Sequence, residues 1–389
     1  MHCHLELDPL CADSLLTEPE REVRAAAARV VDERLLPLAA PAFEKGEMPD
    51  DAVRALAELG AFGATLKGWG CAALGPVAYG LLLQELERCD SGFRSCASVQ
   101  SSLVMWPIAE WGSQEQKERW LPLLRSGDAL GCFALTEPAS GSDPASLTTR
   151  AQKDGEQWVL SGHKRWATNG TRAKVALVWA KTEGDDPRGI RGFLVETGQP
   201  GFEARAIGGK MSLRASDSAE LLLDGARGEL LPGARGLGAP LKCLNEARYG
   251  IAWGAVGAAT ACFASARDYV KERKQFGKPL GAFQLVQQKL AQIYTDIGLA
   301  QLACVQLGRL KQRGELTPVQ VSFAKRAHVA MALEAARAAR EMLGANGITL
   351  AYPPIRHLLN LETVKTYEGT HDVHTLVLGR HITGLDAFS

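Results

Sequence analysis

The stretch Tyr367-Glu368-Gly369-Thr370-His371-Asp372, near the C-terminus, places one carboxylate between an aromatic residue and a glycine. An apolar pattern at helical spacing precedes it over Asn360–Val364 and resumes after it from Val373. The sequence therefore predicts a turn between two helices, with Glu368 at the turn.

We interpret Glu368 as a general base. Gly369 lets the chain turn and lets a ligand approach the backbone. Thr370 is the predicted N-cap of the next helix, whose first amides suit an anionic or carbonyl group. The hexapeptide alone fits a solvated glutamate at a helix end better than a general base, so the interpretation depends on the rest of the chain.

Length and composition set the broad class. The chain has 389 residues, a net charge of +0 and 46% hydrophobic residues, as expected for a globular protein of two or three domains or one composite domain. Zero net charge argues against a dedicated nucleic-acid binder. No run of about eighteen apolar residues is present, so no membrane span is predicted.

The cysteine pattern indicates a cytoplasmic protein. The nine cysteines are odd in number, scattered and free of CxxC pairs, which favours reduced thiols over a disulfide framework. Met1–Leu10 lacks a basic region followed by an apolar core, so no signal peptide is predicted. His2-Cys3-His4 could hold a metal, but its terminal position favours a mobile end, and we predict no metal site.

Three regions differ in their periodicity, and together they predict an α+β fold. Residues 1–130 are predicted to be a helical domain, with capping boxes at Thr17/Glu20 and Ser113/Gln116. Predicted helices begin at Thr17 and span Asp50–Gly60, Pro76–Arg88, Ser98–Trp111 and Ser113–Leu124.

Residues 131–236 have short apolar runs and are predicted to be an antiparallel β domain. No GxGxxG follows a strand and no Walker motif occurs, which disfavours a Rossmann site and a P-loop NTPase. A turn is predicted at Ser161-Gly162-His163-Lys164. The predicted strands are Gln157–Leu160, Val175–Trp179, Gly192–Val195 and Glu220–Leu223.

Residues 237–389 return to the helical period and are predicted to form a four-helix bundle. Their predicted helices are Leu241–Lys274, Phe283–Arg313, Pro318–Leu343 and Pro354–Tyr367.

Four stretches are candidate ligand sites, each with a plain structural alternative. Phe133–Pro138 with Ser140–Asp143 could line a cofactor edge or form a surface turn. Trp166–Gly170 could stack on a flat ring, or its tryptophan could lie in the core. Arg273–Gly277 could bind phosphate or complement a helix dipole. Glu341–Gly347 is a glycine-rich helix end that a C-cap also explains.

Taken with Glu87–Ser95, Ser98–Val104, Arg248–Gly254 and the Glu368 turn, these stretches resemble the acyl-CoA dehydrogenase family. The resemblance runs from about Ala61 to Phe388 and is closest to the glutaryl-CoA dehydrogenase branch. It implies a homotetramer, or at least a dimer, in which FAD binds non-covalently between the β domain and the helices. A neighbouring subunit completes the implied site.

The resemblance also implies the residues that bind FAD. They are Phe133, Leu135, Thr136 and Ser142 at the flavin and the thioester, Trp166 and Thr168 at the isoalloxazine, Arg273, Phe276, Gln284, Glu341 and Gly344 at the phosphate and adenosine parts, and Thr370 and Phe388 at the edge of the pocket.

The implied reaction begins when Glu368 removes the α-proton of an acyl thioester while the β-hydride passes to flavin N5. A backbone amide near Glu368 and the flavin ribityl would stabilise the enolate. Burial should raise the pKa of Glu368 towards the working range. An electron-transfer flavoprotein is the implied electron acceptor.

Arg94 points to a dicarboxylic acyl group, because a planar guanidinium matches a carboxylate and suits a neutral chain poorly. The alternative is a structural ion pair with Glu87 or Asp90. In the branch, oxidation of glutaryl-CoA is followed by loss of CO2, and protonation of the resulting dienolate gives crotonyl-CoA. The implied substrate contacts are Glu87, Arg94, Ser95, Ser98, Ser142, Asn245, Arg248, Tyr367 and Gly369.

Three residues depart from the family pattern: Ala167 beside the flavin, Glu246 where the acyl carrier is expected, and Ala345 in place of a glycine. Alternatives therefore stay open. The substrate could be a short-chain acyl-CoA or a glutaryl group on a carrier protein, or the chain could be a flavin-bound, non-catalytic binding protein. Balanced charge and an intact Glu368 argue against the last.

Overall fold

The computed structural model describes residues 7–182 and 187–388, and its first part is helical. Single π-helical turns at Val31–Leu35 and Val99–Met105 continue two of the helices. The helices are α1 Glu18–Val30, α2 Leu36–Lys45, α3 Asp50–Glu58, α4 Pro76–Cys89, α5 Ser91–Ser98, α6 Trp106–Trp111 and α7 Gln114–Ser126.

Local capping signals set several helix ends. The predicted capping boxes at Thr17 and Ser113 both form. The helix predicted to start at Ser98 starts instead at Ser91. The reason is that the side chain of Asp90 accepts a hydrogen bond from the Gly92 amide at 2.7 Å and caps α5.

A seven-stranded sheet follows. Its strands are β1 Leu130–Ala134, β2 Arg150–Asp154, β3 Gln157–Thr168, β4 Ala173–Lys181, β5 Ile190–Glu196, β6 Phe202–Ala206 and β7 Ser218–Arg235. It is mainly antiparallel, as predicted, but β1 and β2 each pair with β4 in parallel. Strand β4 pairs with both β2 and β5, β2 pairs with β3, and both β3 and β5 pair with β7. These pairings close the sheet into a ring.

The turn predicted at Ser161-Gly162-His163-Lys164 is wrong, since these residues lie inside β3. Close packing explains the glycine at position 162 instead. A Cβ at this position would lie 2.3 Å from Thr149 Oγ1, so only glycine lets the two segments approach.

The C-terminal part contains the four predicted long helices and a fifth. A short hairpin, β8 Lys274–Gln275 and β9 Lys278–Pro279, follows the first of them. The helices are α8 Gly238–Glu272, α9 Gln284–Gln312, α10 Pro318–Met342, α11 Pro353–Thr366 and α12 His371–Thr383.

Helix α8 is the central helix and packs closely on α4. A Cβ at Gly80 would lie 2.3 Å from Trp253, and one at Gly257 would lie 2.0 Å from the Gln84 carbonyl. By length and composition α8 could cross a membrane, although 78% of its apolar window is buried inside the protein. Burial of this extent is what a core helix shows.

Seven cysteines of the described part carry free thiols. Cys11 is disulfide-bonded, which departs from the expectation of reduced thiols throughout. The His2-Cys3-His4 stretch lies outside the described residues.

Candidate active site

Glu368 lies in the turn between α11 and α12. Helix α11 ends at Thr366, and Thr370 caps α12 by accepting a hydrogen bond from the Val373 amide at 3.1 Å. Glu368 has a φ of 51°, in the left-handed region that a residue with a side chain rarely adopts. Such a conformation persists where the surroundings hold it in place.

Two cations hold this turn through its carbonyl oxygens. Lys325 Nζ donates hydrogen bonds to the carbonyls of Tyr367, Glu368 at 3.1 Å and Gly369 at 2.7 Å. Arg248 Nε donates to the Glu368 carbonyl at 2.6 Å. The turn is therefore anchored from α10 and α8 at once.

The carboxylate of Glu368 keeps one oxygen unpaired. Its Oε2 is buried without a hydrogen-bond partner. Burial raises the pKa of Glu368, while the positive charges of Lys325, Arg94 and Arg248 partly oppose the shift. A carboxylate with a raised pKa and a free oxygen is suited to act as a general base.

Arg94 and Glu87 form a fully buried ion pair beside this carboxylate. Arg94 Nε donates to Glu87 Oε2 at 2.5 Å, and its Nη2 donates to the Tyr367 hydroxyl. Arg94 Nη1 and Glu87 Oε1 are buried without partners. The pair with Glu87 that the sequence left open is thus present, whereas Asp90 pairs with Arg356 at 2.5 Å.

Three of the other predicted substrate contacts are buried or hydrogen-bonded, and a fourth is exposed. Ser95 and Ser98 are buried on α5, and Ser98, one helical turn beyond Arg94, has a hydroxyl without a partner. Asn245 Oδ1 accepts a hydrogen bond from Arg248 Nη1 at 3.2 Å. Ser142 differs, because it is exposed in the loop after β1.

Gly369 is required by close packing. A Cβ at Gly369 would lie 2.8 Å from His374 Nε2 and 3.1 Å from Arg248 Nη2. Its φ of 89° also disfavours any other residue.

The loop after β1 lies beside Trp166. Arg165 N donates to the Thr136 carbonyl at 2.8 Å, and Lys164 Nζ donates to the Leu135 carbonyl at 3.0 Å. Trp166 has a φ of 65° and is 53% exposed. An exposed aromatic plane beside a fixed loop fits a flat ring system.

Glu137 fixes this loop. Its carboxylate accepts hydrogen bonds from Thr148 and Thr149 and pairs with Lys164 at 2.8 Å. Burial works to raise the pKa of Glu137, but Lys164 and these hydrogen bonds outweigh it and lower the pKa to about 2. Burial lowers the pKa of Lys164 to about 8.

The remaining predicted flavin contacts in the β domain are half-buried. Phe133 packs on Trp179, with ring centroids 6.0 Å apart, and Thr168 pairs with Ser218 between β3 and β7.

The predicted phosphate and adenosine contacts lie together at one end of the bundle, exposed in the single chain. Phe276 is 93% exposed in the hairpin after α8, and Phe388 is 52% exposed. Lys289 binds Glu341 at 2.6 Å and lowers its pKa. The exposed residues of this group are Arg273, Phe276, Gln284, Glu341 and Gly344.

Three family models match the sequence in order. They are the N-terminal domain of acyl-CoA dehydrogenases over residues 17–128, the middle domain over residues 132–226 and the C-terminal domain over residues 234–383. The chain belongs to the acyl-CoA dehydrogenase family. The predicted family and its α+β architecture are confirmed.

Individual relatives of this acyl-CoA dehydrogenase span nearly its full length. The crystal structure of a glutaryl-CoA dehydrogenase from Mycobacterium smegmatis is 52% identical, with a TM-score of 0.94 and 97% of both chains covered. A second structure from that organism, a glutaryl-CoA dehydrogenase in complex with FADH2, is 48% identical, with a TM-score of 0.96, covering 98% of this chain and 99% of that one. The mitochondrial short-chain specific acyl-CoA dehydrogenase of Bos taurus is 32% identical over 94% of this chain and 90% of its own length.

Glu246, which departs from the family pattern, is paired. Lys311 Nζ donates to both of its carboxylate oxygens at 2.8 Å. The pair lies on a cavity of about 300 Å³ that Asn245 and Trp106 also line. The extra negative charge is therefore balanced within this acyl-CoA dehydrogenase.

Sequence reasoning missed Lys325 and His374. His374 is buried, its Nδ1 lies 3.0 Å from Ser322 Oγ, and burial lowers its pKa to about 3. A usable signal existed for Lys325, which occupies the apolar stripe of α10 with Val321 and Val329. A lysine on a buried helical face needs a partner.

No three His, Cys, Asp or Glu side chains gather as a metal site within the described part of the chain.

Proposed function

We propose that this acyl-CoA dehydrogenase oxidises and decarboxylates glutaryl-CoA to crotonyl-CoA and CO2. The observation that carries the proposal is Arg94 Nη1, a guanidinium nitrogen that is buried and has no partner. Leaving such a donor unpaired is costly, and a carboxylate on the substrate would satisfy it. The two glutaryl-CoA dehydrogenases from M. smegmatis support the same substrate.

The distal carboxylate would bind between α4 and α5. Arg94 supplies its free Nη1, and Ser98 supplies a buried hydroxyl without a partner. Glu87 already neutralises much of the Arg94 charge, so the substrate carboxylate is held by directed hydrogen bonds more than by net charge. Tyr367, which binds Arg94, fixes the other edge of the guanidinium.

FAD is the cofactor. Its flavin would lie on Trp166 and the Leu135–Thr136 backbone, and the exposed bundle end from Arg273 to Gln284 would meet the phosphates of a neighbouring subunit's FAD. When bound, FAD supplies the acceptor for the β-hydride. Exposed Phe276 and Phe388 support a homotetramer, in which both would be covered.

Glu368 removes the α-proton. Its carboxylate has a raised pKa and a free oxygen, and the electron pair of the broken C–H bond moves into the thioester carbonyl. A backbone amide at the turn would stabilise the negative oxygen. After oxidation the distal carboxylate leaves as CO2, and the protonated Glu368 returns its proton to the dienolate, which gives crotonyl-CoA.

The cavity beside Glu246 and Lys311 is the proposed approach of the acyl carrier. It reaches Asn245, which binds Arg248, and Arg248 contacts the Glu368 carbonyl. We propose CoA as the carrier, an electron-transfer flavoprotein as the acceptor and the cytoplasm as the compartment. The seven free thiols are compatible with a reducing compartment.

The test is a comparison of glutaryl-CoA with butyryl-CoA in steady-state turnover. We expect kcat/KM to favour glutaryl-CoA, and the Glu87→Gln/Arg94→Met double variant to lose about 100-fold on glutaryl-CoA only. The double variant removes the guanidinium without leaving an unpaired carboxylate. Equal losses on both thioesters would contradict the assignment of Arg94 to the distal carboxylate.

The 32% identity with a short-chain specific relative supports a second candidate, oxidation of a short-chain acyl-CoA. That candidate predicts a higher kcat/KM for butyryl-CoA than for glutaryl-CoA, with no CO2 released.

A further inference from the structure

A buried lysine on α10 contacts the turn that carries Glu368. Lys325 is 1% exposed, and its ammonium donates to the carbonyls of Tyr367, Glu368 and Gly369. An ammonium has three donors and no acceptor. Three consecutive carbonyls therefore satisfy all of its hydrogen-bonding capacity.

This arrangement opposes the cost of burying the charge. Burial lowers the pKa of Lys325, while the negative charge of Glu368 works in the opposite direction. A buried charge persists where hydrogen bonds and an opposite charge surround it. Lys325 meets both conditions. Its hydrogen bonds also fix the backbone of the turn, and its ammonium places a positive charge near the Glu368 carboxylate.

We propose that Lys325 is a positioning residue for proton abstraction: it holds the Tyr367–Gly369 turn so that the Glu368 carboxylate faces the acyl α-carbon, and its charge favours the ionised carboxylate. The proposal rests on the role of Glu368 as the base in the proposed function. It requires no particular acyl group.

Other charged and titratable groups also face the turn. Removal of the Lys325 charge leaves these groups in place. The pKa of Glu368 should therefore rise, and the acid limb of the pH–rate profile should move to higher pH. The groups are Glu87 on α4, Arg94 on α5, Arg248 on α8, Tyr367 in the turn and His374 on α12.

The experiment isolates proton transfer from oxidation. 3-Thiaglutaryl-CoA and 3-thiabutyryl-CoA have sulfur in place of the β-carbon, so each can exchange an α-proton but cannot lose a hydride. Exchange into D2O is followed by NMR against pH for the flavin-loaded wild type, Lys325→Met and Lys325→Gln. Arg337→Gln, an exposed substitution on the same helix, is the control.

We expect Lys325→Met to slow exchange about 100-fold at neutral pH and to move the acid limb upward by about one pH unit or more. Lys325→Gln keeps two donors without the charge, so the same shift should come with a smaller loss of rate. An acid limb at the wild-type pH in both variants would overturn the proposal. If Lys325→Met does not fold, the result for Lys325→Gln decides. If only 3-thiabutyryl-CoA exchanges its α-proton, the glutaryl assignment is contradicted. The effect of Lys325 can then still be measured with that thioester.

Discussion

Arg94 and Glu87 form an ion pair in which Nε and Oε2 are 2.5 Å apart, with both side chains fully buried, yet each keeps one polar atom without a partner. A purely structural pair would have those atoms satisfied. The geometry is consistent with a site that is completed by a ligand carboxylate.

Loss of one partner of this pair should cost more stability than loss of both. Arg94→Met leaves a buried, uncompensated carboxylate on Glu87, a change that costs about 3–5 kcal/mol. We expect a clear fall in Tm for Arg94→Met and recovery of most of it in Glu87→Gln/Arg94→Met. Arg54→Met, which breaks an exposed pair, should leave Tm nearly unchanged. Equal Tm values for the single and double variants would contradict this account.

Gly254 on α8 makes room for the Glu87 side chain. A Cβ there would lie 2.0 Å from Glu87 Oε2 and 3.2 Å from its Cβ. Gly254→Ala should displace the carboxylate and with it Arg94, lowering kcat/KM on glutaryl-CoA about tenfold or more.

The matched control is Gly379→Ala on α12, where an added Cβ meets no atom within 4 Å. It should keep full activity and gain slightly in stability. Wild-type turnover of glutaryl-CoA by Gly254→Ala would show that the position of Glu87 is unimportant.

The Glu137 carboxylate should stabilise the protein in a defined pH range. Its pKa is lowered to about 2 from an ordinary value of 4.5. A lowered pKa in the folded state means stability that is present above pH 4.5 and is lost as pH falls towards 2.

Melting curves of wild type and Glu137→Gln test this expectation. The Tm of the wild type should exceed that of the variant at neutral pH, and the gap should narrow as pH falls below 4.5. A gap that stays constant over this range would rule out the ionised carboxylate as its cause.

Local signals explain what the sequence could predict. The capping boxes at Thr17 and Ser113, the N-cap at Thr370 and the long apolar periods of α9 and α10 each depend on residues a few positions apart. The turn at Glu368 follows from them, because two helices end and begin around it.

Long-range contacts explain what the sequence could not predict. Lys325 reaches the Glu368 carbonyl across 43 residues and Arg248 across 120, so no local pattern contains either contact. Gly162 was assigned to a turn because glycine serves turns and close packing alike.

Anaerobic mixing of the flavin-loaded protein with glutaryl-CoA, following flavin absorbance and released CO2, tests the central claim most directly. We expect bleaching together with CO2 in the wild type, and neither in Glu368→Gln, which keeps the shape of the side chain but not its basicity. Bleaching without CO2 would contradict decarboxylation. No bleaching with glutaryl-CoA, with bleaching by butyryl-CoA, would contradict the assignment of the substrate.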